Sequence, residues 1–199
     1  MERVDHRQTL KHLYNSSRRT PVLVDVPPLN FLMIDGSGKP TGAEFQQAAE
    51  TLYPVAYVLK FSIRSRYSID YHVMPMEVCW DVNRQQRRFA WTMMIMQPEV
   101  VTPELVAEAV ENVKSKGEPP LLSRLRFEPL AEGPCVQFLH TGPYEGMDGA
   151  MNRMIAFAGS CGYGVPYTNA HDIYLNDVRK TKPENLKAVM RLKIRRLGL

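Results

Sequence analysis

The sequence predicts an α+β fold in which one β-α-β-β unit occurs twice in tandem. Each half begins with an apolar segment of strand length, followed by a segment whose apolar residues recur at helical spacing. Two further apolar segments of strand length complete each half. The same order of elements, met twice in one chain, is typical of a duplication, although a chance resemblance of two short patterns is the alternative.

The first unit occupies the N-terminal half of the chain. A helix is predicted from 42 to 61, because its apolar residues recur at helical spacing, and Pro54 within it should produce a kink. The last two strands form a hairpin joined by a charged loop at 81–88. The strands of this unit are predicted at 31–34, 70–80 and 89–96.

The second unit repeats this order. Its helix is predicted from 146 to 160 and ends at a segment rich in glycine, the usual terminator. When the units are aligned, Met76-Glu-Val-Cys-Trp80 matches His171-Asp-Ile-Tyr-Leu175, so that Glu77 becomes equivalent to Asp172. The strands of this unit are predicted at 135–139, 171–175 and 188–194.

The segments outside the two units are short. A linker helix is expected to follow Thr102, since threonine is a good N-cap and Pro103 suits the first helical position. An extra strand is expected at 123–130, and a short helix at 5–14. We therefore expect one domain over 1–199, made of an N-terminal extension (1–28), the first unit (29–101), a linker helix (102–120) and the second unit (121–199).

Composition excludes several classes of protein. The chain of 199 residues is 44% apolar and 23% charged, which argues against disorder. The net charge of +4 is spread over small basic clusters without a zinc-finger or RNA-binding motif, so no direct nucleic-acid partner is expected. No apolar run approaches the roughly 18 residues of a membrane span, and the N-terminus lacks the core of a secretory signal. These features predict a cytoplasmic protein without membrane contact.

The cysteines and histidines are also consistent with a cytoplasmic protein that holds no metal. Three widely spaced cysteines are expected to be free thiols, as in a reducing compartment. Five histidines show no metal-ligand spacing, so neither a metal nor a cofactor is expected. The oligomeric state, monomer or dimer, stays open.

The most informative residues are two acids, Glu77 and Asp172, each within an apolar strand. A carboxyl group is costly to bury unless it is used or paired. If the units pack about a pseudo-twofold axis, both acids should approach the same central region. The alternative is a buried salt bridge or an edge position.

Aromatic residues gather near the strand ends and the turns between strands and helices, and they include Tyr167. Tyrosine and tryptophan beside carboxylates suit a pocket for flat or cationic ligands, although each alone is more often core packing. The residues predicted to bind such a ligand are Tyr57, Trp80, Trp91, Phe138, Tyr144 and Tyr174.

Several segments together resemble the GyrI-like small-molecule-binding proteins, in matching order over nearly the whole chain. They are Val22-Leu-Val-Asp-Val-Pro27, Phe31-Leu-Met-Ile-Asp-Gly36, the helix from Glu44 to Phe61, Trp91-Thr-Met-Met-Ile95, His140-Thr-Gly-Pro-Tyr144 and His171-Asp-Ile-Tyr-Leu-Asn-Asp177. The resemblance implies an SHS2-type fold like that of effector-binding domains. Such a fold has a curved antiparallel sheet, helices on one face and a ligand pocket near the pseudo-twofold axis.

A stand-alone subfamily that this chain resembles hydrolyses cyclopropane-bearing, DNA-alkylating natural products with an aromatic cage and a carboxylate. The resemblance implies that Asp172, where the family usually has glutamate, and Glu77 handle the attacking water. A misplacement of about 1 Å can cost roughly a hundredfold in rate, so the shorter aspartate matters. Two alternatives stay open: a binder that sequesters aromatic or cationic drugs, and an inhibitor that docks on a protein such as a topoisomerase through the loop at 81–88.

Overall fold

The computed structural model describes residues 2–83, 88–166 and 170–198. Its helices are α1 (His6–Thr9), α2 (Lys11–Tyr14), α3 (Ala43–Tyr67), α4 (Pro103–Lys116) and α5 (Met147–Ser160). Its strands are β1 (Glu2–Val4), β2 (Val22–Val26), β3 (Leu29–Ser37), β4 (Ile69–Tyr71), β5 (Met76–Asn83), β6 (Arg88–Gln97), β7 (Arg126–Leu130), β8 (Gly133–Thr141), β9 (Tyr163–Gly164), β10 (Ala170–Tyr174), β11 (Lys187–Lys193) and β12 (Arg195–Arg196).

Eight strands form one antiparallel sheet in the spatial order β2-β8-β11-β10-β5-β6-β3-β7. The predicted duplication is confirmed: β3-α3-β5-β6 and β8-α5-β10-β11 fill the two halves, and β5 pairs with β10 at the centre. Only residues 131–132 connect β7 to β8, yet these strands lie six positions apart in the sheet. A flat sheet would separate them by roughly 29 Å, beyond the reach of so short a connection, so the sheet is curled.

Helices α3, α4 and α5 lie on one side of the sheet, called here the helix face. The apolar stripe of α3, which includes Leu52, Leu59 and Ile63, is buried against β3 and β6. Because Ile63 continues this stripe, α3 runs past its predicted end at Phe61, and it also continues through Pro54. A smaller cluster around Met154 lies between α5 and the strands β8 and β11. Two separate apolar clusters therefore cover the two halves of the helix face.

The linker helix α4 packs on α3 and begins as predicted. The Oγ1 atom of Thr102 accepts a hydrogen bond from the backbone nitrogen of Leu105 at 3.4 Å. In the part of the chain that the structure describes, no helix combines the length and apolar character that a membrane span requires. The three cysteines are free, as the sequence predicts.

Residues 2–17 form an N-terminal strap, which starts beside α3 and places residues 10–14 on the opposite face of the sheet. The predicted helix at 5–14 is divided into α1 and α2, and β1 pairs with β4 beside α3. Leu13 and Tyr14 are buried in a cluster with Phe31, Met94 and Ile173. The expectation of helices on one face holds for the three long helices, while the short helices of the strap cover the other face.

Candidate functional site

Asp172 lies in the middle of β10 on the helix face. Its cross-strand neighbours, Val78 of β5 and Met190 of β11, belong to the clusters beneath α3 and α5. The residue is 6% exposed, and its Oδ1 atom has no hydrogen-bond partner among the described residues. Burial raises the pKa of Asp172 to about 7, against the opposing effects of His171 and of the nearby indole N–H of Trp80. A carboxyl group that titrates near neutral pH thus lies where the two halves meet.

Three aromatic side chains surround this carboxyl group. The rings of Tyr144, in the turn before α5, and Tyr174, at the end of β10, meet edge to face with centroids 5.5 Å apart. The indole N–H of Trp80 lies near both Asp172 and Tyr174 and lowers the pKa of each. Burial raises the pKa of both tyrosines, and the nearby Asp172 raises it further, so their hydroxyl groups stay protonated. The sequence predicted these three aromatic residues together with Asp172, and the structure brings all four together.

Trp91 and Phe45 lie further from Asp172. Trp91 is on β6, one strand beyond Trp80. The ring of Phe45 stacks on Trp80 at a centroid distance of 5.8 Å and meets Trp91 edge to face at 5.2 Å. Trp91 therefore packs behind Trp80 and does not line the space around Asp172. Phe45 extends this wall, although its helical spacing marked it only as a core residue.

Phe138 and Tyr57 do not reach Asp172. Phe138 lies on β8, two strands from β10, and pairs with Met190 of β11. It is buried under α5, and the guanidinium of Arg153 lies 4.8 Å from its ring centroid. Tyr57 is 47% exposed on α3. Its ring lies between those of Tyr53 and Phe61, at centroid distances of 6.5 and 6.3 Å. Tyr167 lies outside the described residues, as do residues 84–87 of the loop at 81–88.

The expectation that Glu77 and Asp172 approach the same region is wrong. Glu77 pairs with Ile173 across the centre of the sheet, and Asp172 pairs with Val78. Directly paired residues share a face and successive residues alternate, so the two acids point to opposite faces. The alignment that made them equivalent is shifted by one residue, which exchanges the faces of every side chain in the strand.

Glu77 belongs to a buried group of charges beneath the strap. Its Oε1 atom accepts a hydrogen bond from the hydroxyl of Tyr14 at 2.7 Å, and its Oε2 atom lies 2.9 Å from Nε2 of His171. The Nδ1 atom of His171 lies 3.0 Å from Oε1 of Glu132, whose Oε2 lies 2.7 Å from Nη1 of Arg191. Glu77 therefore fits the alternative interpretation of the sequence, in which the acid forms a buried salt bridge.

These contacts decide the charges of the group. Burial by itself would lower the pKa of His171, but interactions with Cys79 and with the carboxylates of Glu132 and Glu77 raise it well above its usual value. Burial would raise the pKa of Glu132, but His171 and Arg191 outweigh it and hold that pKa at about 2. Sequence reasoning missed His171, Glu132 and Arg191 as partners, because they come from separate segments without a motif. A charged residue inside the apolar strand at 188–194 was the available signal.

The described residues line cavities of about 640 and 350 Å³. The larger one is lined by residues of the strap, including Tyr14, and by Pro75 and Leu175. The lining of the smaller one includes Cys79 and Glu132 together with two of the predicted ligand-binding residues, Trp80 and Trp91. Asp172 lines neither cavity. Across 2–83, 88–166 and 170–198, no group of three or more His, Cys, Asp or Glu side chains is arranged to hold a metal ion.

The curled sheet of two units, with a buried carboxyl group among aromatic rings where the units meet, defines a small-molecule-binding domain. Residues 19–195 match the family described as the GyrI-like small molecule binding domain, and the chain belongs to that family. The match begins after the strap. No curated protein matches the chain significantly.

Solved structures agree with this assignment. A hydrolase from Listeria innocua is 34% identical with a TM-score of 0.87, and the alignment covers 96% of this chain and 100% of that one. An uncharacterised conserved protein from the same organism is 33% identical with a TM-score of 0.88 and the same coverage of both chains. The C-terminal domain of EcmrR, at 9% identity, shares the fold with a TM-score of 0.54 over 89% of this chain and 98% of that domain.

Proposed function

We propose that this protein binds flat aromatic molecules around Asp172 and hydrolyses cyclopropane-bearing alkylating compounds there. The observation that carries the proposal is the carboxyl group of Asp172, which is buried, lacks a partner at Oδ1 and has a pKa of about 7. A general base works best when its pKa lies near the working pH, because it is then both ionised and basic enough to take a proton. An ordinary surface aspartate, with a pKa near 3.9, is a much weaker base.

The aromatic residues supply the binding surface in this proposal. Flat ligands gain from offset-stacked or edge-to-face contacts with rings such as Tyr144, Tyr174 and Trp80. Because Asp172 is only 6% exposed, a ligand must part the side chains above it to reach the carboxyl group. Ligand entry then excludes water except for the molecule that reacts.

The reaction fits a cyclopropane that is conjugated to a dienone. Asp172 takes a proton from water while the water oxygen bonds to the ring carbon, and one ring C–C bond breaks. The electron pair of that bond passes into the dienone, whose oxygen becomes a phenolate. Return of the proton to the phenolate gives a phenol and an alcohol and regenerates the carboxylate. The protonated hydroxyl of Tyr174 can donate a hydrogen bond to the dienone oxygen as negative charge develops on it.

The solved structures support hydrolysis at a coarser level. A relative that is 34% identical over 96% of this chain is described as a hydrolase, without a substrate. The family resemblance implies a glutamate at position 172, and the aspartate found there is shorter by one methylene group. We therefore propose the cyclopropane substrate on the chemistry of the site and on the family resemblance.

The test is incubation of the protein with a cyclopropane-dienone alkylator, followed by mass spectrometry. We expect catalytic formation of the water adduct, and a rate that falls at least a hundredfold in Asp172→Asn, since removal of a general base costs about 10²–10⁴. Asp25→Asn makes the same chemical change at an exposed position on the edge strand β2 and should leave the rate unchanged. Equal rates in wild type and Asp172→Asn would refute the catalytic role.

A binder without catalysis is the second candidate, because a buried carboxyl group among aromatic rings also suits a cation. It predicts an unchanged ligand that raises the melting temperature of the wild type, with a smaller rise in Asp172→Asn. The same incubation therefore separates the two candidates, since only the hydrolase yields product.

A further inference from the structure

Residues 171 and 172 of β10 point to opposite faces of the sheet, and both are buried. On the face covered by the strap, His171 is 1% exposed and has a carboxylate oxygen at each ring nitrogen, at 2.9 and 3.0 Å. Neither contact has hydrogen-bond geometry, so the two carboxylates act on the ring as nearby charges, and they favour the imidazolium ion over the neutral imidazole. The positive charge of His171 therefore lies within the sheet, directly behind Asp172.

The group around His171 holds two anions and two cations, and the ammonium group of Lys193 lies near its edge, where it acts on Cys79. The anions are Glu77 and Glu132, and the cations are His171 and Arg191, which is the cross-strand neighbour of His171 on β11. Neutral groups complete the surroundings: the hydroxyl of Tyr14 from the strap, and the thiol of Cys79, which pairs with His171 on β5.

The groups that face Asp172 carry no formal charge. Its cross-strand neighbours are Val78 and Met190, and the polar groups near it belong to Trp80, Tyr144 and Tyr174. Among the described residues, the charged group that acts on its ionisation is His171. The helix face around Asp172 is therefore uncharged, and the charge that acts on Asp172 lies on the other side of the strand.

We propose that His171, held charged by Glu77 and Glu132, favours the ionised form of Asp172 from the other face of β10, against the effect of burial, and so shifts the pH range in which the ligand site works. The inference rests on the proposed function, because it takes Asp172 to act in the ligand site. The titration of Asp172 can be measured whether or not that function is correct. His171 does not touch the ligand and acts as a positioning residue, through the charge it places behind the carboxyl group.

Removing a cation and removing an anion behind the strand should shift the midpoint of the Asp172 titration in opposite directions. His171→Gln removes the cation and leaves an excess of carboxylates, so the midpoint of the Asp172 titration should rise. Glu132→Gln removes an anion, while Glu77, 2.9 Å from His171, still keeps the imidazolium charged. The excess of positive charge should then lower the midpoint. Two charges that interact through a protein at this range shift each other on the order of one pH unit. A merely structural role would disturb the site in both variants without this reversal of sign.

The experiment is a titration of the side-chain carboxyl carbons by NMR, from about pH 5 to pH 9, in protein labelled with ¹³C-aspartate. The Asp172 signal is assigned by its absence in Asp172→Asn. The matched control is Glu128→Gln, which makes the same chemical change as Glu132→Gln on the exposed side of β7, away from the buried group. Circular dichroism establishes that each variant is folded, and Glu77→Gln replaces Glu132→Gln if the latter is not.

The expected result is a midpoint that rises in His171→Gln, falls in Glu132→Gln and stays at the wild-type value in Glu128→Gln. If His171→Gln does not fold, the fall in Glu132→Gln or Glu77→Gln decides the question. Unchanged midpoints, or shifts of the same sign, would overturn the inference. Binding of the aromatic cation 10-methylacridinium, followed by fluorescence over the same pH range, tests the proposed function separately. Absence of binding in the wild type would count against the binding site but would leave the NMR result intact.

Discussion

Asp172 links the stability of this protein to the chemistry proposed for it. The carboxyl group is buried among apolar and aromatic groups without an ion pair, and folding raises its pKa from 3.8 to about 7. Between these two values the unfolded chain has lost the proton while the folded chain keeps it. The unfolded state therefore binds fewer protons, and the contribution of Asp172 to the free energy of unfolding falls as the pH rises through this range.

Asp172→Asn should remove this cost. We expect its free energy of unfolding to exceed that of the wild type near pH 8 by on the order of 2–4 kcal/mol, because the wild type must then hold a buried carboxylate. Near pH 4 the folded wild type keeps the carboxyl proton, and the difference should nearly vanish. Urea unfolding at both pH values measures this, with Asp25→Asn as the control. An equal difference at both pH values would mean that Asp172 is not strongly perturbed.

At the scale of the element, the strands were predictable and their register was not. Apolar runs and glycine turns located β3, β8 and β11 within a few residues. The faces of β10 could not be read in the same way, because residues 171–173 are all buried and no polar alternation marks a solvent side. This explains why the sequence pointed to Asp172 as an unusual acid yet wrongly placed Glu77 beside it.

Close packing of β3 against β6 gives a prediction at this scale. Gly36 faces Trp91, and a Cβ atom at position 36 would overlap the indole ring. Gly36→Ala should therefore displace Trp91 and loosen its contact with Phe45, at a cost of about 1–3 kcal/mol in unfolding free energy. Tryptophan fluorescence should change as well.

Gly149→Ala is the matched control for this change. Gly149 lies in α5, where an added Cβ atom meets nothing within 4 Å. Alanine favours a helix over glycine by up to about 1 kcal/mol, so this variant should be slightly more stable than the wild type. A Gly36→Ala protein as stable as the wild type would show that the indole can move without cost.

At the scale of the whole molecule, the buried charges join segments that are far apart in the chain. They connect the strap, β5, the short connection between β7 and β8, β10 and β11. Arg191 also donates from Nη2 to the carbonyl of Leu13 at 3.2 Å, across 178 positions of sequence. No local pattern reveals such partners, because each segment supplies only one charged residue.

The group therefore predicts how the strap is held. Arg191→Met leaves Glu132 without its guanidinium partner and frees the carbonyl of Leu13, and loss of one partner of a buried ion pair typically costs about 3–5 kcal/mol. Arg126→Met is the control, because Arg126 pairs with Asp35 and Glu128 at the surface, where such pairs contribute about 0–1 kcal/mol. Urea unfolding measures both costs.

Hydrogen exchange locates the effect of Arg191→Met. We expect the amides of Leu13 and Tyr14 to lose protection first, because the strap is the segment whose backbone Arg191 contacts directly. Adding Glu132→Gln to Arg191→Met should recover part of the lost stability, since a neutral amide is less costly to bury alone than a carboxylate. If the double variant were no more stable than Arg191→Met, the loss would come from packing rather than charge. The strap would then be held by its apolar residues alone.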